Sequence, residues 1–144
     1  MYKNTLHLLL GRIMFELQVQ KDTTPPRDQL VLDRVKLSVV PGLGPSLRHR
    51  LIAKFGSGSK IFEQSISSLQ RVHGVGNHLA SAIFSGRTST KPSRILDECK
   101  QHGINILLDT DPEFPELLSH IPDPPDMLFI RGTFESCDRE AIAV

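Results

Sequence analysis

The sequence predicts an α-then-α/β chain: two copies of one helical hairpin, followed by the opening of a domain in which helices and strands alternate. Three observations carry that prediction. Val40-Pro41-Gly42-Leu43-Gly44 recurs as Val72-His73-Gly74-Val75-Gly76, 32 positions later. Apolar residues around it repeat at the same offset: Leu37 with Leu69, Leu47 with Leu79, Leu51 with Ile83. Two such turns in register indicate a duplicated supersecondary unit, where one alone would indicate little. Beyond the second copy the pattern changes to short continuous apolar runs bounded by glycine and proline, as buried strands require.

Taken in order, residues 1–27 form an extension with no clear signal, ending in the linker-like Thr23-Thr24-Pro25-Pro26. Its apolar run (Leu8 to Leu10, then Ile13 to Phe15) is broken by Arg12 and is followed by no small-residue cleavage site. Neither a signal peptide nor a membrane span, which needs about 20 apolar residues, is expected. Residues 28–88 make the helical domain. Each copy has an apolar helix, a tight turn and a second apolar helix. Leu43 and Val75, between the glycines, are expected to plug inward, and Pro45 suits the first position of a helix, where its missing N–H is not needed. Leu47, Leu51 and Phe55 mark one apolar face, with Leu79, Ile83 and Phe84 as its counterpart. The stretch 56–59 reads as a loop, Ile61 and Phe62 as the start of a connecting helix, and Ser67 as the cap of the helix carrying Leu69 and Val72.

Residues 89–144 read as a linker helix and the start of an α/β domain. A helix is expected over 94–102, stopped by Gly103 in a left-handed conformation. Strands are expected over 104–108 and 127–130, with a turn at 111–115, a short helix at Leu117-Leu118 and an extended proline-rich link at 122–125. Ala141 to Val144 would begin a third strand. Continuous apolar strands between helices suit a parallel sheet covered on both faces.

The paired glycine turns resemble the helix-hairpin-helix motif of DNA repair and recombination proteins, in the tandem arrangement also described as SAM- or RuvA-domain-2-like. That resemblance implies a phosphate-gripping role for Gly42, Gly44, Gly74 and Gly76, whose bare backbone leaves the first amides of each second helix accessible. Arg48, Arg50 and Lys54 follow the first turn and would extend the contact. Binding of this kind is independent of sequence and sensitive to salt. The second copy is poorer in cations, with Asn77 and His78 at the corresponding place and only Arg71 and Arg87 nearby. A packing or protein-docking module with no direct DNA contact is the competing reading, since glycines also serve close helix approach.

From about Leu37 to Val144 the chain is similar to the DNA-processing protein A family (DprA, also called Smf). The most specific pieces are Asp111-Pro112-x-Phe114-Pro115, Ile121-Pro122-Asp123-Pro124-Pro125 and Phe129-x-Arg131-Gly132. The resemblance implies that residues after the helical domain open a Rossmann-like domain that binds single-stranded DNA. It also implies assistance in loading the RecA recombinase during natural transformation, and homodimerisation. In that family a glycine-serine-arginine segment follows the strand matching residues 141–144 and supplies much of the DNA pocket. This chain is therefore expected to represent the front part of such a protein, its sheet left with an unpaired edge.

Charge is distributed unevenly although the formal net charge is only +1. Residues 28–100 carry eleven Lys/Arg against five Asp/Glu, whereas residues 101–144 carry two against nine. A basic block beside an acidic one fits a polyanion partner as well as it fits a solvated helical surface. The two cysteines, Cys99 and Cys137, form no C-x-x-C pair, so reduced thiols in a cytoplasmic protein are expected. No catalytic constellation, metal site or cofactor loop is expected. The turns lack G-x-G-x-x-G, since positions 47 and 79 are leucine, and Gly56-Ser57-Gly58-Ser59-Lys60 lacks the spacing of a phosphate loop. None of the six histidines falls in an H-E-x-x-H pair. Asp109, Asp111 and Glu113 alternate as a metal loop would, but Pro112 and Pro115 favour a plain turn. A helix-hairpin-helix glycosylase or nuclease would need acids or a lysine near the second turn, and Asn77-His78 offers neither.

Overall fold

Chain reversal at Gly42 and again at Gly74 organises the helical half of the molecule. A computed structural model describes residues 25–133. Within it, α1 (Arg27–Ser38) and α2 (Pro45–Phe55) flank the first turn. The short α3 (Gly58–Glu63) connects onward, and α4 (Ile66–Leu69) and α5 (Asn77–Gly86) flank the second turn. Gly42 and Gly74 sit at φ +79° and +91°, a region that costs a side chain strain and glycine nothing. The hydrogen bonds of the two turns match at the 32-residue offset. Val40 N donates to Leu37 O and Leu43 N to Val40 O; Val72 N donates to Leu69 O and Val75 N to Val72 O.

Packing repeats the same correspondence. Leu37 and Leu69, Val40 and Val72, Leu43 and Val75, and Leu51 and Ile83 are all buried in one core with Ile61, Phe62 and Ala80. Each copy also covers the other's turn. A Cβ on Gly42 would meet Leu79 Cδ1 at 3.9 Å, and one on Gly74 would meet Leu47 Cδ2 at 2.9 Å. Leu47 and Leu79 are themselves repeat partners, so the contact is reciprocal, as a pseudo-two-fold pairing of two like units requires. Burying each of these aliphatic side chains contributes about 1.5–3 kcal/mol, which is why neither hairpin would persist singly.

Several local details differ from the sequence reading. Ser65, not Ser67, caps α4, its hydroxyl accepting from Ser68 N at 3.2 Å. The connecting helix starts earlier than expected, at Gly58. Ser57 caps it, and the buried Asp33 accepts from Ser59 N at 2.7 Å. Gly58 is there for space, because a Cβ would lie 2.6 Å from Asp33 Cβ. Phe84 does not belong to the apolar face. It is exposed beneath the Arg87 guanidinium, 3.8 Å from the ring centroid, because α5 turns Ala80 and Ile83 inward instead.

The second half begins with α6 (Lys91–Gln101), three residues earlier than expected, and Gly103 ends it at φ +62°. β1 (Ile104–Leu108) and β2 (Met127–Arg131) follow, with α7 (Glu116–Ser119) between them. The two strands pair antiparallel, Ile106 opposite Phe129 and Leu108 opposite Met127, and not parallel as their apolar character suggested. The segment between them contains only a four-residue helix, so it makes no crossover. It folds back on itself instead, and Asp109 N donates to Asp126 O across the strand ends. One face of this ribbon packs with α6 and with α1, through Val31, Val35, Cys99, Ile106 and Leu108. Helix α1 therefore contributes to both cores. The expected third strand, residues 141–144, and the extension up to residue 24 lie outside the described residues. No helix among the described residues is long and apolar enough to cross a membrane.

Candidate functional site

The seven residues that the sequence marks as a nucleic-acid surface do not come together as one group. Gly42 and Gly44 are exposed at the first turn, and Gly74 and Gly76 at the second. Both second helices start directly on a glycine, Gly44 or Gly76, with no capping side chain from that residue. Their first-turn amides thus have no partner within the helix. From there the two turns differ.

At the first turn, the acidic half of the chain has moved in. Ser46 N donates to Asp123 Oδ1 at 3.1 Å, and the Ser46 hydroxyl donates to the same oxygen at 2.5 Å. A carboxylate from the proline-rich link thereby occupies the start of α2, where backbone amides and the helix dipole both favour negative charge. Arg48 is buried and its donors are committed. Nε donates to Asp126 Oδ2 at 2.9 Å, Nη2 to Asp126 Oδ1 at 2.5 Å and Nη1 to Leu43 O at 2.9 Å. Contrary to its expected role on the surface beside Arg50 and Lys54, Arg48 is an internal strut. Its repeat partner is Ala80, fully buried, so position 48 faces the interior in both copies.

Asp126, with no exposed surface, is the centre of a network joining the helical half to the strands. Arg34 Nη1 donates to it at 3.3 Å, while Arg34 Nη2 donates to Asp109 at 3.0 Å. His49 Nε2 lies 3.1 Å from the other Asp109 oxygen. Burial pushes the Asp126 carboxyl up, but hydrogen bonds and charge from Arg48, with the charge of Arg34, outweigh it and hold the carboxyl below the usual aspartate range. A group depressed in the folded state stabilises fully above its unfolded pKa and less as pH falls toward its folded one. Wild type is therefore expected to lose stability as pH drops from about 5 through the ordinary aspartate value of ~3.9. Denaturant unfolding along that range should show a smaller loss for Asp126→Asn, which has no carboxylate to protonate there.

Asp111 closes the turn after β1, accepting from Leu108 N at 2.9 Å and from Arg27 at 2.7 Å. Burial opposes its ionisation, and these two donors more than compensate. Its role in this structure is that of a turn, as the flanking prolines suggested. Among the described residues no group of His, Cys, Asp or Glu is arranged to hold a metal.

The second turn carries the cations that its own copy lacks. Arg50 reaches over from α2 and donates to His73 O at 3.4 Å, its Nη1 beside Gly74. Lys54, one helical turn on, donates to Arg71 O at 3.0 Å. Arg50, Lys54, Arg71, His73, Asn77 and His78 are all exposed around the glycines. The sequence assigned Arg50 and Lys54 to the first turn by proximity along the chain; the two-fold packing delivers them to the other one.

Comparison with known proteins agrees with the residue-level resemblance. Protein Smf of Synechocystis sp. is 32% identical over 98 residues, covering 68% of this chain and 25% of that protein. Shorter matches include the UvrABC system protein C of Natronomonas pharaonis, 46% identical over 57 residues, 38% of this chain and 10% of that protein. The UvrABC system protein C of Corynebacterium glutamicum is 38% identical over 56 residues, 39% of this chain and 8% of that protein. The chain thus spans a quarter or less of the length of the relatives named. No family model and no solved structure matches.

Proposed function

The chain belongs to the DNA-processing protein A (DprA/Smf) family, and from that premise we propose that it is a DNA-handling module, with its helical half acting as a tandem helix-hairpin-helix. In this reading the protein binds the backbone of single-stranded DNA and serves recombination without catalysing a reaction. Loading of RecA during natural transformation, a homodimer, a Rossmann-like continuation of the strand half and a cytoplasmic location complete the proposal. The observation that carries it is the exposed cationic rim of Arg50, Lys54 and Arg71 around a glycine turn at the start of an uncapped helix. Amides at such a helix start suit a phosphate oxygen, and flanking cations add an attraction independent of base sequence. Of the residues marked from the sequence, Gly42, Gly44, Arg50, Lys54, Gly74 and Gly76 remain candidates for contact, and Arg48 is withdrawn.

Fluorescence anisotropy with a labelled oligothymidylate tests the proposal. Measurable binding at about 50 mM salt, weakening steadily toward about 200 mM, is the expected result. No binding at low salt would favour the competing reading, in which the paired hairpins dock another protein.

A further inference from the structure

We infer that the two turns have diverged in role: the second alone binds the sugar-phosphate backbone of nucleic acid, using cations of both copies, while the first is the socket that holds the strand half. This rests on the DNA-binding reading above and narrows it to one surface. At the first turn the Ser46 amide and hydroxyl and the Arg48 guanidinium, groups that could serve a phosphate, are engaged within the chain. Asp123 takes the Ser46 amide and hydroxyl, and Asp126 takes Arg48. Those two acids stand three positions apart in the proline-rich link, so a single short segment fills both subsites. Pro125 and Pro124 restrict the backbone between them, which keeps the two carboxylates in fixed register.

At the second turn no acid among the described residues bonds to the turn or to its cations. Arg50 donates to His73 O at 3.4 Å with His73 Nδ1 3.5 Å away, and Lys54 donates to Arg71 O at 3.0 Å; none of these partners is an acid, so their charges stay uncompensated by the contacts they make. They are held on the rim of Gly74 with Arg71, and α5 begins at the same place with no cap. A cationic rim fixed in place but not neutralised is suited to a polyanion and to little else. The partition also puts part of the lopsided charge to use: Asp123 and Asp126 of the acidic half neutralise the first turn.

The test compares variants of this chain by anisotropy with labelled oligothymidylate over a salt series, with circular dichroism as the check on folding. Arg50→Gln with Lys54→Gln should weaken binding about tenfold and lower the salt slope by about 1.4, two contacts on a single strand. Asn77→Lys adds a cation at the start of α5, where Asn77 Oδ1 accepts a 3.4 Å bond from Gln70. It should tighten binding several-fold and steepen the slope by about 0.7. Asp123→Asn should change affinity by less than about threefold, because the socket is not a nucleic-acid surface. Three results would overturn the inference: unchanged binding in the double variant while wild type binds, no gain from Asn77→Lys, or a larger change from Asp123→Asn. Wild type that fails to bind at any salt removes the DNA-binding reading as well, so the two failures are distinguishable.

Discussion

Asp126→Ala is expected to cost about 3–5 kcal/mol of folding stability, the largest effect of any single substitution considered for this chain. The carboxylate has no exposed surface and lies between two guanidinium groups whose side chains are only 11% and 10% exposed. Removing it leaves Arg48 buried with no acid to balance its charge, and Arg34 beside it with Asp109 alone. Mutual repulsion and lost hydrogen bonds then act together. Because Arg48 also donates to Leu43 O, the damage should reach the first turn as well as the strand junction. Denaturant unfolding followed by circular dichroism measures the effect. A loss under about 1 kcal/mol would show that the network is solvated and weak, as surface ion pairs are. Replacing Arg34, Arg48 and Asp126 together with apolar residues of similar volume should recover most of the stability, since the penalty comes from unpaired charge and not from the missing pair itself.

Gly74→Ala should destabilise more than Gly42→Ala, although the two glycines occupy equivalent places in the repeat. Both have positive φ, so each alanine costs about 1–2 kcal/mol of backbone strain. At Gly42 the new methyl would meet only Leu79, at an ordinary 3.9 Å. At Gly74 it would sit 2.9 Å from Leu47 Cδ2 and 3.6 Å from Arg50 Nη1. Leu47 packs against the main core, so accommodating the methyl adds an overpacking cost of about 1–3 kcal/mol. Thermal unfolding of the two single variants should therefore separate clearly, with Gly74→Ala the lower. Equal melting temperatures would mean that Leu47 relocates freely and that the reciprocal cover of the turns is loose.

Much of the helical half was legible in the sequence because duplication writes each core position twice. Leu37 with Leu69 and Leu51 with Ile83 identify the inward face without knowledge of any partner. The same register contained a clue to Arg48: its counterpart Ala80 is small and buried, which marks position 48 as facing inward. What the sequence did not reveal was the neutralising acid, since Asp126 lies 78 positions away and reaches Arg48 only through the tertiary fold. For the same reason Arg50 and Lys54 could not be assigned to the second turn: which turn a helix crosses depends on how the two hairpins pack.

The strand half was legible as elements but not in direction. Apolar runs at 104–108 and 127–130 read equally well in parallel or antiparallel pairing. The outcome hinges on whether the link folds back or crosses over, and here Asp126 ties its end to Arg34 and Arg48 beside α1 and α2. Helix starts were the other weak point. Three serines lie close together at 65, 67 and 68, and only the geometry of Ser65 lets its hydroxyl reach an amide three residues on.

The most direct test of the central claim is a heteronuclear NMR titration of the labelled chain with a short oligothymidylate, read at the backbone amides. Shifts confined to residues 71–79, together with those of Arg50 and Lys54, are the result expected if the second glycine turn grips the phosphate backbone. Shifts centred on residues 42–46 or on the strands, with the second turn silent, would contradict it.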